Sequence, residues 1–124
     1  MRRHVVTVTT AADGSATAHS PRGVTGKLHS VHYVPHGSTP FANTVDMTIT
    51  AEATGESLVT RSNVSAAFVT YPRKDTAAAD GTASLYAGSG TAVQDRAAIA
   101  NDRIKLVLAQ GGDTKIGTFH FLVD

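Results

Sequence analysis

Two runs of strict alternation near the end of the chain constrain its fold more than any other feature. Ile104, Leu106 and Leu108 recur at every second position, and so do Phe119, Phe121 and Val123. A period of two marks a β-strand with one apolar face, whereas a helix would space its apolar residues three or four apart. Gln110 and the run Gly111-Gly112-Asp113-Thr114-Lys115 lie between them, with glycines free to take positive φ. The expected arrangement is a closing β-hairpin over residues 101–124. Val107 and Leu122 stand on the opposite faces beside Lys105 and His120, so both strands are expected to be central in a sheet or covered by a partner.

The same period governs residues 44–53, where Val45, Met47, Ile49 and Ala51 should face inward while Asp46, Thr48, Thr50 and Glu52 face water. A turn at residues 54–56 should return the chain through Leu58 and Val59 as a second hairpin. Residues 5–10 read as a first strand rather than a signal peptide, and Asp13-Gly14 as a turn that favours a hairpin into a weak strand at residues 16–20. Pro21, Gly23 and Gly26 mark a loop before residues 27–34, a strand whose apolar side chains favour neither face. Phe41 is expected to anchor the loop at residues 35–43. Residues 66–72 read as a strand with Phe68 and Thr70 on one side and Val69 and Tyr71 on the other, ended by Pro72. A short strand is expected at residues 82–86. At residues 93–100 an extended path is favoured over about two helical turns.

These elements predict an all-β chain, a single domain over residues 1–124, built as a β-sandwich or small barrel of about eight mostly antiparallel strands. A chain of 124 residues has room for one core. Residues 1–4 and 73–81 carry no core pattern and are expected to be contact arms, with Arg2, Arg3, Arg73 and Lys74 facing carboxylates of a partner.

Charge is nearly balanced, 11 Lys and Arg against 10 Asp and Glu, which argues against nucleic acid or an acidic lipid surface as partner. No stretch approaches the roughly 20 apolar residues of a membrane-spanning helix, so a soluble chain is expected. The absence of cysteine excludes disulfides, thiolate metal sites and a Cys nucleophile. Among six histidines, His29, His32 and His36 invite a metal reading, but residues 29 and 32 of a regular strand project to opposite faces unless a bulge intervenes. Surface or interface histidines are the expectation, with no metal and no cofactor. The glycine runs at residues 88–91 and 111–115 lack P-loop spacing and read as turns. Asp46, Glu52 and Glu56 share one hairpin, yet nothing brings two of them into a desolvated pocket, and no serine sits in a nucleophile elbow. The expected class is therefore not an enzyme.

The run DMTITAEATGESL at residues 46–58, Asn63-Val64, Tyr71-Pro72-Arg73, DRIK at 102–105, QGGDTK at 110–115 and GTFH at 117–120 together resemble a family of small proteins of tailed bacteriophages, encoded among the head and tail structural genes. The resemblance spans residues 28–124, and its motifs are turns, so it carries no active-site residues across. It implies a virion component. The favoured form is a capsid decoration, or cement, protein on the outer surface of the head, bound to the major capsid protein; a head-tail connector or tail component is the alternative. Small residues abound and aromatics are few, which favours association with neighbouring copies, as trimers for instance. The competitor from another class is a carbohydrate-binding β-sandwich. Such a site would present exposed aromatics, and here Tyr33, Tyr71 and Tyr86 are the only tyrosines and tryptophan is absent.

Overall fold

Each long run of alternation becomes a strand, and what differs from expectation is which strands are neighbours. A computed structural model describes all residues, Met1 to Asp124, and contains no helix. Eleven strands follow in order: β1 (Arg2–Thr9), β2 (Ala16–His19), β3 (Val24–Pro35), β4 (Asp46–Ala51), β5 (Ser57–Arg61), β6 (Phe68–Thr70), β7 (Arg73–Asp75), β8 (Gln94–Arg96), β9 (Ala98–Asp102), β10 (Ile104–Ala109) and β11 (Ile116–Val123). The first sheet runs β1-β11-β3-β6, with β9 also paired to β3, and the second runs β2-β10-β4-β5. All of these pairs are antiparallel. The expected all-β class, a small sandwich or barrel of mostly antiparallel strands, is the observed one, with eleven strands where about eight were expected.

The inward faces are those the alternation marks. Met47, Ile49, Ile104, Leu106 and Leu108 from the second sheet join Val6, Val8, Val31, Phe119, Phe121 and Val123 from the first in one buried cluster. Phe41 is buried as expected: its ring stacks on Tyr33 at 5.8 Å and lies over Gly117, where a Cβ would fall 2.5 Å from the Phe41 ring. The β4–β5 hairpin also forms as expected, turning at Gly55 with φ 72°.

The closing hairpin does not form. β10 lies between β2 and β4, and β11 lies between β1 and β3, so residues 110–115 carry the chain from one sheet to the other. In a hairpin both apolar stripes would line the same face of one sheet. Placed in opposite sheets, they face each other across the interior and bury one another. The Asp13-Gly14 turn behaves the same way and joins β1 of the first sheet to β2 of the second. The two crossing loops are bonded together: Thr10 Oγ1 donates to the Gly112 carbonyl at 2.6 Å and accepts from the Lys115 N–H at 2.8 Å, while the Gly111 N–H donates to the Gly14 carbonyl at 2.9 Å. Gly14 has φ 83°, and a Cβ there would fall 2.8 Å from the Gly112 nitrogen. The loops can approach this closely only with glycine at that point.

Other boundaries shift. Arg2 to His4 are not a free arm but the first residues of β1, paired with Val123, Leu122 and Phe121. Residues 93–100 are extended, as β8 and the start of β9. Residues 82–86 form no strand and contribute only the isolated bridges Ala77–Ala83 and Leu85–Ala92.

Thr10 is 3% exposed, so its hydroxyl has no water to fall back on. Thr10→Val, which keeps the shape and removes both hydrogen bonds, is expected to cost about 1–3 kcal/mol. Urea denaturation should show it as a lower midpoint at unchanged slope.

Candidate interaction surface

The outer face of the first sheet is built from the side chains that alternate with its core. Register places Val5, His120, His32 and Val69 in one row across β1, β11, β3 and β6. Arg3, Leu122 and Ser30 form the row to one side, and Thr7, Thr118 and Val34 the row to the other. Val5, Val34 and Val69 are 43%, 48% and 45% exposed, which is high for three valines of one sheet. Arg3, His32, Val34, His120 and Leu122 line a shallow hollow of about 260 Å³, and a second hollow beside it is bordered by His32, Val34, Ala67 and Val69. No Asp or Glu occupies these outward positions. The imidazoles of His120 and His32 stand at the centre of this face, and the exposed valines, Leu122, Arg3 and the threonines surround them.

A bulge explains why residues 27–34 show no clear apolar face. The register of β3 against β11 slips between Leu122, opposite Ser30, and Val123, opposite Leu28. Leu28 and Val31 therefore both point inward, an odd spacing that regular pleating forbids. Ser30, fully buried, lies between His29 Nδ1 at 3.1 Å and His32 Nε2 at 3.2 Å. His29 packs edge-on against Tyr71, with ring centroids 5.8 Å apart. His36 stands apart and caps its own loop, accepting the N–H groups of Ser38 and Thr39. No group of three His, Asp or Glu side chains is placed to hold a metal ion. The Nδ1 of His120 is buried without a hydrogen-bond partner.

Beyond β6 the chain leaves the sandwich as a ribbon. β7 pairs with β8 through Arg73–Arg96, Lys74–Asp95 and Asp75–Gln94. Outward of this ladder, residues 76–78 bond residues 82–84, and residues 84–86 bond residues 91–93, giving two short loops side by side. The expected arm at residues 73–81 is thus one leg of a larger, internally bonded element. Its base is clamped: Lys27 pairs with Asp95 at 3.0 Å, Arg96 pairs with Asp124, and Arg73 donates to the carbonyls of His29 and Pro72 while lying over the Tyr71 ring. Its outer part exposes Leu85 and Tyr86, the latter 74% accessible.

The four expected contact cations do not gather in one place. Arg3 lies on the outer face of the first sheet. Arg2 lies with His4, Gly23 and Thr25 around a polar depression at the sandwich's end. Arg73 is engaged within the chain, and Lys74, at the ribbon base, makes no ion pair. Of the three tyrosines, Tyr33 is a core residue, so only Tyr71 and Tyr86 reach the surface. The sheet face escaped sequence reasoning because it needs the register of β1, β11, β3 and β6. Only the outward Leu122 and His120 hinted at it.

The carboxylates of the β4–β5 hairpin are likewise separate. Asp46 accepts the Asn63 N–H, and Glu52 grips Arg103 through two bonds of 2.6 and 2.7 Å. The Arg103 hydrogen bonds hold the Glu52 carboxyl below its ordinary range. A carboxyl lowered in the folded state adds stability above its unfolded pKa, and that stability is lost as pH falls through the folded value. NMR titration should therefore find Glu52 ionising below a free glutamate, and Glu52→Gln should flatten this part of the acid dependence. Titration at or above the ordinary value would contradict the fork.

No protein-family model matches the chain, and no curated protein matches it.

Proposed function

We propose that this chain is a structural protein of a tailed-bacteriophage virion, a decoration protein that sits on the outside of the assembled head and ties neighbouring capsid subunits together. The observation that carries the reading is the ribbon Arg73–Arg96. It adds almost nothing to the core, yet it is bonded along its length and clamped at its base by two ion pairs and Arg73. Ordering a backbone costs about 1–2 kcal/mol per residue, and exposed ion pairs return about 0–1 kcal/mol each. An element of this kind makes sense where contacts outside the chain complete it.

The family resemblance supports the same reading, since its most specific motifs, the turn at residues 53–56 and the loop at residues 110–115, are parts of the scaffold. A shell protein needs a rigid scaffold and outward surfaces, and here the scaffold buries its apolar stripes completely while the first sheet and the ribbon remain outward. Modest contacts made by each copy and repeated by the symmetry of a head would reinforce a shell through multivalency. The partners in this role are the major capsid protein and neighbouring copies of the chain.

Cryo-electron microscopy of the virion tests the assignment, with density for the sandwich and its ribbon expected on the outer capsid lattice. Density confined to the neck or tail would replace it with a connector or tail role. Replacing residues 76–93 with an Asn-Gly turn, which joins Asp75 to Gln94 as a two-residue hairpin, should leave a cooperative fold and lower the copy number per particle. If that replacement unfolds the sandwich, the ribbon belongs to the scaffold and not to the contact surface.

A further inference from the structure

The two outward features of this chain are complementary in both charge and polarity. Between Asp75 and Gln94 the ribbon carries Asp75 and Asp80, no Lys or Arg, and the exposed apolar side chains Leu85 and Tyr86. The outer face of the first sheet carries Arg3, His32 and His120, no carboxylate, and the exposed Val5, Val34 and Val69. Tyr86 is largely solvent-accessible, so the ribbon does not lie on the face of its own chain.

We infer that the ribbon of one copy docks on the outer face of the first sheet of the next. Leu85 and Tyr86 seat against the valines and Leu122, and the ribbon carboxylates meet Arg3 and the imidazoles. Tyr86 is the natural anchor, because a large aromatic with a polar tip gives the most buried area for the fewest lost rotamers. Face-to-face pairing of two copies is disfavoured, since it would set Arg3 and the imidazoles of each against those of the other without a carboxylate between them. Ribbon on face is a head-to-tail contact, which closes into a ring when the rotation allows. This contact deepens the expectation of self-association and is separable from the virion assignment, because purified protein suffices to test it.

The experiment uses two full-length variants and sedimentation velocity up to millimolar concentration. The ribbon variant is Leu85→Ser with Tyr86→Ser, and the face variant is Arg3→Glu with Val34→Asp. Wild-type protein should associate with rising concentration, and each variant alone should remain monomeric. An equimolar mixture should form one-to-one dimers and nothing larger, because each pair keeps one intact ribbon and one intact face. All substituted residues are exposed. Should Val34→Asp disturb the sheet by circular dichroism, Arg3→Gln with Val69→Thr gives the same readout. A wild-type chain that stays monomeric throughout, a variant that associates like wild type, or a mixture that stays monomeric would each overturn the inference.

Discussion

The structure depends on the burial of two apolar stripes against each other, Ile104, Leu106 and Leu108 on β10 and Phe119, Phe121 and Val123 on β11. Each of these six side chains is at most 3% exposed. Full burial contributes about 1.5–3 kcal/mol for a large apolar side chain, whereas the exposed ion pairs contribute about 0–1 kcal/mol each. The stripes therefore decide the topology. Since they must come from opposite sheets, the loop between them has to cross the sandwich, and so does the loop between β1 and β2. Thr10, Gly14 and Gly111 lock the two crossings side by side.

Once the core is satisfied in this way, the outer faces are free to differ, and they do. At the edge of the second sheet, beyond β4, Glu52 is gripped by Arg103 at 2.6 Å. In the first sheet, the outward positions of β1, β11, β3 and β6 hold no carboxylate, so Arg3 remains available to a partner. The ribbon leaves this same sheet from β6 and returns through β8 and β9. One sheet thus supplies both the receiving face and the projecting element, and this links the fold to a proposed role in assembly.

The sequence shows faces more clearly than neighbours. Alternation at residues 44–53, 104–108 and 119–123 identifies the inward side chains without error, because period two depends only on the pleat. Strand partners depend on which stripes bury each other, which no local pattern encodes. Gly14 suits a crossing loop as well as a hairpin, since both need positive φ. The blurred pattern at residues 27–34 reflects the bulge at His29, which sets Leu28 and Val31 on the same side. Small exposed residues at 76–92 hid the ribbon, because its bonds run through the backbone. The cations drew the eye to arms, yet Arg2 and Arg3 belong to a strand and Arg73 to a clamp. The receiving face lay unseen because its residues come from four strands distant in sequence.

The arrangement of β10 and β11 is the most direct point at which to test this account. In nuclear Overhauser spectra of uniformly labelled protein, the Hα protons of β11 should contact those of β1 and β3, and the Hα protons of β10 those of β2 and β4. The rings of Phe119 and Phe121 should meet the leucine methyls of β10 through side chains alone. Backbone contacts running directly between β10 and β11 would restore the simple hairpin and contradict the crossed sandwich on which the surfaces described above depend.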